Sequence, residues 1–477
     1  MRKTLASIVA VILLFPLAGY AQDGRVSLEG VAKAMGAAKV KSLEVTGNGM
    51  IYAVGQNPAP GTPWPRFHLK STKRTLNYET ASLREENVRS QAQDPPRGGG
   101  AQPVRGEQTQ HFVVSGDHAW NVAANAPVPA PLTLAQRQFD LWATPHGVVK
   151  AAMAHKATVE GRTISFTVPG RFKIKATVND RNLVTKVEAL VAHTVVGDLP
   201  VEINYSAYDD FGGVMFPRII QQSAGGFPSL TLTVDGVKPN APADIQVPDP
   251  VRQATNYYAR VTTEKMADGV WYLTGTTHHS VVIEMKDHVI LVETPQNEQR
   301  AVAVLAEARK LVPNKPIRYV VNTHHHYDHS GGLRAAAAEG LTLVTSEVNR
   351  PFLEWAVSAP ATVAPDRMAK ANRKPTMESV GDKRVMTDGA RSVEIHQIAG
   401  NLHHDGLIML YLPKERLLVE TDAFTPGPPN APPPTPANPF SVNLADNVAR
   451  LGLNVDRILP LHGRAVPMSE LSKAIGK

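Results

Sequence analysis

From about Leu28 to Asn240 apolar and polar residues alternate with a period of two, in runs separated by Gly, Pro or Asn-Asp turns. The runs Phe67–Tyr78, Gln110–Val122, Thr163–Val178, Leu183–Val191, Val201–Tyr205 and Leu230–Val237 are the clearest. Alternation sends successive side chains to opposite faces of a strand, so this half predicts a largely antiparallel sheet domain. Val31–Lys41 and Ala135–Leu141 predict two short helices. Glu86–Arg105 is polar and contains Pro95-Pro96-Arg97-Gly98-Gly99-Gly100, the composition expected of a mobile loop. Repeated prolines over Pro239–Pro250 predict a linker.

Beyond the linker the texture changes. Val270–Thr274, Ser280–Met285 and His288–Glu293 alternate like hairpin strands, and Glu298–Leu311 has helical spacing. A strand at Ile317–Asn322, a helix at Gly332–Glu339 and a strand at Leu341–Thr345 follow. Val385–Ala399, Leu407–Leu412 and Leu417–Glu420 read as further strands, Val442–Leu451 as a helix and Arg457–Pro460 as a last strand. Helices interleaved with strands predict a layered α/β domain whose loops gather at strand ends. The division expected is a leader over residues 1–21, a mostly β N-terminal domain with its linker over 22–250, and a catalytic domain over 251–477.

Composition narrows the class. The chain has 477 residues and no cysteine, which excludes a disulfide scaffold and thiolate metal ligands. A net charge of +7 without a dense Lys/Arg block gives no support to a nucleic-acid or membrane-surface partner. Arg2 and Lys3, the apolar run Leu5–Leu17 and the small residues before Gln22 read as a signal peptide cleaved after Ala21, so the protein is expected to be exported, periplasmic or extracellular. That run is shorter than the ~20 residues of a spanning helix, so no membrane span is expected in the mature chain.

The chemistry concentrates in Asn322-Thr323-His324-His325-His326-Tyr327-Asp328-His329-Ser330-Gly331-Gly332. In an extended loop His324 and His326 point the same way and can meet one cation, while Asp328 and His329 follow on the next turn and can serve a second. Imidazole with carboxylate suits a borderline divalent ion such as zinc. Three later motifs, Gly400-Asn401-Leu402-His403-His404-Asp405-Gly406, Glu420-Thr421-Asp422 and Leu461-His462-Gly463, each place a possible ligand where a strand meets a loop.

These motifs carry a resemblance. The segment from about Ala254 to Lys477 resembles the metallo-β-lactamase superfamily, whose H-x-H-x-D-H signature is matched by His324–His329. The resemblance implies an αββα sandwich with metal along one edge, preceded here by the mostly antiparallel β domain. It implies that His324, His326 and His403 hold one ion, that Asp328, His329 and His462 hold a second, and that Asp422 bridges. His403 is preferred to His404 because it stands three residues before Gly406, where the family has His-Ser/Thr-x-Gly. Glu293 stands where the family commonly has Asp, at the end of an early strand, and fits a carboxylate that orients a histidine ligand. Tyr327 and the pair His278-His279, His279 foremost, are candidates for substrate contact, set against simple packing. The Pro-rich run Phe424–Phe440 is expected to wall the cleft.

The function implied is an exported metallohydrolase with two Zn2+ ions, Fe or Mn being the alternatives. Paired cations lower the pKa of a water from ~15.7 toward ~7. Asp328 would then orient that water and take its proton. The substrate expected is a small molecule: a lactam, lactone, ester or thioester. An iron-dependent persulfide-type oxygenase and a phosphodiesterase are the alternatives on the same ligands. Oligomeric state is left open.

Overall fold

A computed structural model describes residues 26–477, and the leader lies outside the described residues. The first half forms one antiparallel sheet of 13 strands. Its topology is a meander that meets itself: Phe227–Pro239, the last strand in sequence, pairs with the first, Ser42–Tyr52. The two edges, Ala126–Pro129 and Thr158–Glu160, are joined by helices Leu134–Trp142 and Pro145–Ala154. These helices cover one face of the sheet, where Phe139, Leu141, Val148 and Val149 pack among Val45, Leu76, Ile203 and Phe216. A 20 Å3 void lined by Arg74, Asp140 and Tyr205 lies there, about the room one water needs.

Several expected strands are hairpins. Gln110–Val122 turns at Gly116, giving Glu107–Ser115 and His118–Ala123, and Thr163–Val178 turns at Gly170. Both glycines take the positive φ that a tight turn demands. Val385–Ala399 likewise splits into Lys383–Thr387 and Ser392–Gln397, because Asp388 Oδ1 accepts from the backbone of Ala390 and Arg391 and closes a turn. The helix expected over Val31–Lys41 is Leu28–Met35, stopped by left-handed Gly36.

One expectation about a loop is corrected. Glu86–Gln91 belongs to strand Ser82–Gln91, and Gly98 and Gly99, expected to be mobile, are buried. The Pro239–Pro250 segment lies along the first sheet: its Ile245, with the following Val251, packs on Val113 and Trp120, and Asn77 Nδ2 donates to Ala243 O (3.0 Å).

The second half is a sandwich of two sheets. One has 7 strands from Thr262–Ala267 to Thr376–Val380, the other 6 from Lys383–Thr387 to Val466–Pro467. Val281, Ile283, Val292 and Val344 of one face Ile395, Leu410, Val419 and Leu459 of the other. Helices Glu298–Leu311 and Leu333–Ala338 cover one outer face, and Pro439–Arg450 and Met468–Ala474 the other. Coverage on both sides explains why Val289–Val292, Ile408–Leu412 and Leu417–Glu420 are apolar or buried at every position instead of alternating. The parallel strands Val289–Val292, Ile317–Val321, Leu417–Glu420 and Arg457–Pro460 deliver their C-terminal loops to one edge of the sandwich.

Candidate metal centre

That edge gathers the predicted side chains. His324, His326 and Asp328 leave strand Ile317–Val321, His403 follows Ser392–Gln397, Asp422 follows Leu417–Glu420, and His462 follows Arg457–Pro460. Two groups of donors form, His324, His326, His403 and Asp422 in one and His278, Asp328, His329 and His462 in the other, their donor atoms within 4.8 Å of one another in each group. Asp422 stands between them. Its Oδ2 lies 3.1 Å from His324 Nε2, 3.0 Å from His329 Nε2 and 3.1 Å from His403 Nε2, while Oδ1 lies 2.9 Å from His462 Nε2.

The nitrogens on the far sides of these rings meet acceptors, which settles which nitrogen faces inward. His324 Nδ1 meets Thr323 Oγ1 (3.2 Å), His326 Nε2 donates to the carbonyl of Asn57 (2.8 Å), and His462 Nδ1 donates to that of Thr277 (3.1 Å). His329 Nδ1 lies 3.4 Å from Glu293 Oε2. Glu293 is fully buried, and its Oε1 accepts from both the backbone N (2.8 Å) and the Oγ1 (2.6 Å) of Thr323. It adopts a φ of 64°, a strained conformation for a residue with a side chain, at the turn that aims its carboxylate at His329.

The field at this edge favours positive charge. Burial opposes ionisation of Asp328 and Asp422, yet His329 and its neighbouring imidazoles hold both well below the ordinary carboxylate range. Burial also opposes a charged His329, but Asp422, Asp328 and Glu293 pull it well above the usual imidazole value. Burial and the adjacent imidazoles push His326 down to about 3 and His278 to about 4, leaving neutral rings with free lone pairs. His324 Nε2 is buried without a hydrogen-bond partner, and His403 Nε2 and His326 Nδ1 face each other at 3.1 Å. Inward-facing imidazole lone pairs around carboxylates fit divalent cations, and they are the donors zinc, iron and manganese accept.

The remaining candidates fall elsewhere. His404 is outside both donor groups: its Nδ1 accepts from the Gly406 backbone (2.8 Å) and its Nε2 meets His325, whose Nε2 donates to Asn57 Oδ1 (2.9 Å). His279 turns into the wall, against Tyr272 Oη (2.5 Å) and the Thr276 carbonyl, and it is its neighbour His278 that reaches Asp328 Oδ2 (3.1 Å). Residues that start a strand point alternately, so which of two adjacent histidines faced the site was decided by register. Tyr327 points away from the donors and packs on Trp64, His193 and Phe352. Two participants had no signal in sequence, Gln56 and Asn57 of the first half, and Gln56 Nε2 donates to Asp328 Oδ1 (2.7 Å).

A 740 Å3 cleft opens over the donors. Asp328, His403, Asp422 and His462 form its floor. Gly99–Arg105 makes one wall and the Pro-rich segment with Phe424 and Phe440 the other, and Arg105 bridges the two through the carbonyls of Thr435 (2.6 Å) and Pro436. The exposed helix Arg367–Ala371 takes no part in the cleft lining.

Residues 273–462, which follow the large antiparallel sheet, match the family model of the metallo-beta-lactamase superfamily. Among solved structures, the metallo-beta-lactamase from Pontibacter korlensis is 20% identical, covers 45% of this chain and 97% of its own, and has a TM-score of 0.35. That from Hirschia baltica is 19% identical, with 45% and 96% covered and a TM-score of 0.34. The 2,4-dinitroanisole O-demethylase subunit alpha of Nocardioides sp. (strain JS1661) is 27% identical over 168 residues, 35% of this chain and 48% of that protein. The chain thus spans about half the length of that curated relative. No helix among the described residues is long and apolar enough to cross a membrane.

Proposed function

We propose that the protein is an exported hydrolase with two metal ions, zinc in the first instance, acting on a small carbonyl compound such as a lactam, lactone, ester or thioester. The observation that carries this reading is the pair of four-donor groups meeting at Asp422 beneath a cleft. His324, His326 and His403 would hold one ion, Asp328, His329 and His462 the other, with Asp422 between them and His278 beside the second. Bound there, divalent ions polarise a carbonyl oxygen and bring the pKa of a water down to ~7.

The side chains supply the rest. Asp328, kept ionised by His329 and His278, orients the attacking water and accepts its proton. Glu293, Thr323, Thr277 and Asn57 hold the histidine rings in orientation, so little reorganisation accompanies the reaction. Phe424, Phe440 and the prolines of 428–434 offer an apolar wall against which the body of a substrate lies. The division into a domain over 22–250 and a catalytic domain over 251–477, and the leader over 1–21, belong to the same reading.

The test is elemental analysis of the purified protein with a turnover panel of lactams, lactones, esters, thioesters and phosphodiesters. 2,4-Dinitroanisole joins the panel because the matched relative is named for acting on it. Two equivalents of zinc and hydrolysis of a carbonyl substrate are expected, and His326→Ala should lose the equivalent held with His324 and His403 together with turnover. Iron with dioxygen uptake would redirect the reading to an oxygenase, and no bound transition metal with no turnover would overturn it.

A further inference from the structure

The loop that joins strands Ser42–Tyr52 and Arg66–Asn77 of the first sheet reaches the metal edge. Gln56, 272 residues before Asp328, donates from Nε2 to Asp328 Oδ1 at 2.7 Å. The other carboxylate oxygen is held by His278 Nε2 at 3.1 Å, so Asp328 is gripped on both sides. Gln56 is itself immobilised: its Oε1 accepts from the Gly100 backbone (3.1 Å) and its carbonyl from Gly99 (2.8 Å). That bond fixes which end of the amide is oxygen and turns the NH2 group toward Asp328.

The next residue extends the pattern. The Asn57 carbonyl takes the Nε2 proton of His326, which leaves Nδ1 free to face the donors. Asn57 Nδ2 is anchored on the carbonyls of Ala59 (2.7 Å) and Thr62 (3.0 Å). Staples join the two halves around this point: Gly98 N donates to Leu402 O (2.9 Å), Asp405 N to Pro58 O (2.8 Å), and Arg97 pairs with Asp405 at 2.7 Å. The run Gly98-Gly99-Gly100 is what lets the strap lie so close. A Cβ on Gly99 would stand 1.9 Å from Gln56 Oε1 and 3.2 Å from His326 Cε1, and one on Gly98 2.5 Å from the Gln56 carbonyl.

We propose that the first sheet is a working part of the metal centre, with Gln56 the positioning residue that aims Asp328 and the Asn57 carbonyl the group that selects the tautomer of His326. The inference rests on the metallohydrolase reading and adds that the site is incomplete without the N-terminal half. Gln56 also lines the cleft, and the role proposed for it runs through its bond to Asp328. Losing such an outer partner typically weakens metal affinity by about 10–100-fold.

Co2+ titration of the full-length protein, followed by visible absorption, tests this. The parent is expected to take up two equivalents. Gln56→Met keeps the volume and removes the donor, so the equivalent held with Asp328 should weaken by about 10–100-fold while the first site keeps its affinity. Gly99→Ala leaves Gln56 in the chain but displaces its amide and crowds His326 Cε1, so it should weaken the equivalent held with Asp328 and, to a smaller extent, the first site as well. Circular dichroism of each variant separates a folding defect from a local one, and either folded variant decides the matter. If the parent binds two ions and the folded variants do too with parental affinity, the inference is overturned and the hydrolase reading stands. A parent that binds none overturns both.

Discussion

Replacing Glu293 by Gln tests the hydrogen-bond logic of the site at its most buried point. The carboxylate faces only donors: the Thr323 N–H at 2.8 Å, the Thr323 hydroxyl at 2.6 Å and His329 Nδ1 at 3.4 Å. A glutamine has one acceptor oxygen. If that oxygen keeps both Thr323 bonds, the amide NH2 confronts His329 Nδ1 and drives the ring proton to Nε2, the atom that lies 3.0 Å from Asp422 and 3.1 Å from His462. The inward lone pair is then lost. If the amide flips, its NH2 opposes the Thr323 donors in a site with no water access, as Glu293 is 0% exposed.

Both outcomes cost the second ion. An outer-partner loss of about 10–100-fold in affinity corresponds to about 1.4–2.7 kcal/mol. The metal-free protein loses either the 3.4 Å contact of Glu293 with His329 or, with the amide flipped, the Thr323 bonds, at about 1.5–3 kcal/mol. At about 2–4 °C per kcal/mol that lowers the melting midpoint by about 3–12 °C. Competition with a chromophoric zinc chelator reads the affinity, and calorimetry of the metal-free protein reads the stability. Glu293→Asp, which keeps an acceptor-only group one methylene short, should fall between the parent and Glu293→Gln. Parental affinity for both ions in Glu293→Gln would refute the assignment of Glu293 as the group that orients His329.

Two further perturbations probe the frame around the site. Burial lifts the carboxyl of half-buried Asp140, on helix Leu134–Trp142 against the first sheet, to about 6, with Arg74 opposing. Because the folded value lies above the unfolded one, the group costs nothing below pH ~4, and the cost grows as pH rises to ~6 and is full above it, at most about 3 kcal/mol. Asp140→Asn should therefore gain melting temperature over the parent between pH 4.5 and 7.5, and a difference independent of pH would exclude this account. Tyr327 packs across the two halves, 5.8 Å from Trp64 and 4.7 Å from His193 between ring centres. Tyr327→Ala should lose about 3 kcal/mol in urea unfolding followed by tryptophan fluorescence, with metal stoichiometry unchanged.

The balance between local and long-range information can be read residue by residue. His324, His326, Asp328 and His329 lie on one loop after one buried strand, so their convergence follows from short-range chain geometry, and the chain itself displays it. The sandwich was legible too, since strands covered on both faces are apolar throughout and their neighbours carry helical spacing. The glycines of 98–100 misled in isolation: the residue that confers flexibility in solvent is also the one that permits close approach of two backbones. The choice between His278 and His279 needed the register of the strand they precede.

What the sequence alone displayed is most of the candidate donors and the order in which strands present them, because these are written in contiguous motifs whose chemistry does not depend on the rest of the chain; His278 was not among them. Tertiary structure alone decided that an N-terminal sheet supplies Gln56 and Asn57 to that set. A bond spanning 272 residues leaves no local trace. It exists only because two independently patterned halves dock with their loops at one edge, where the carboxylate on the cleft floor and a buried imidazole each take a partner.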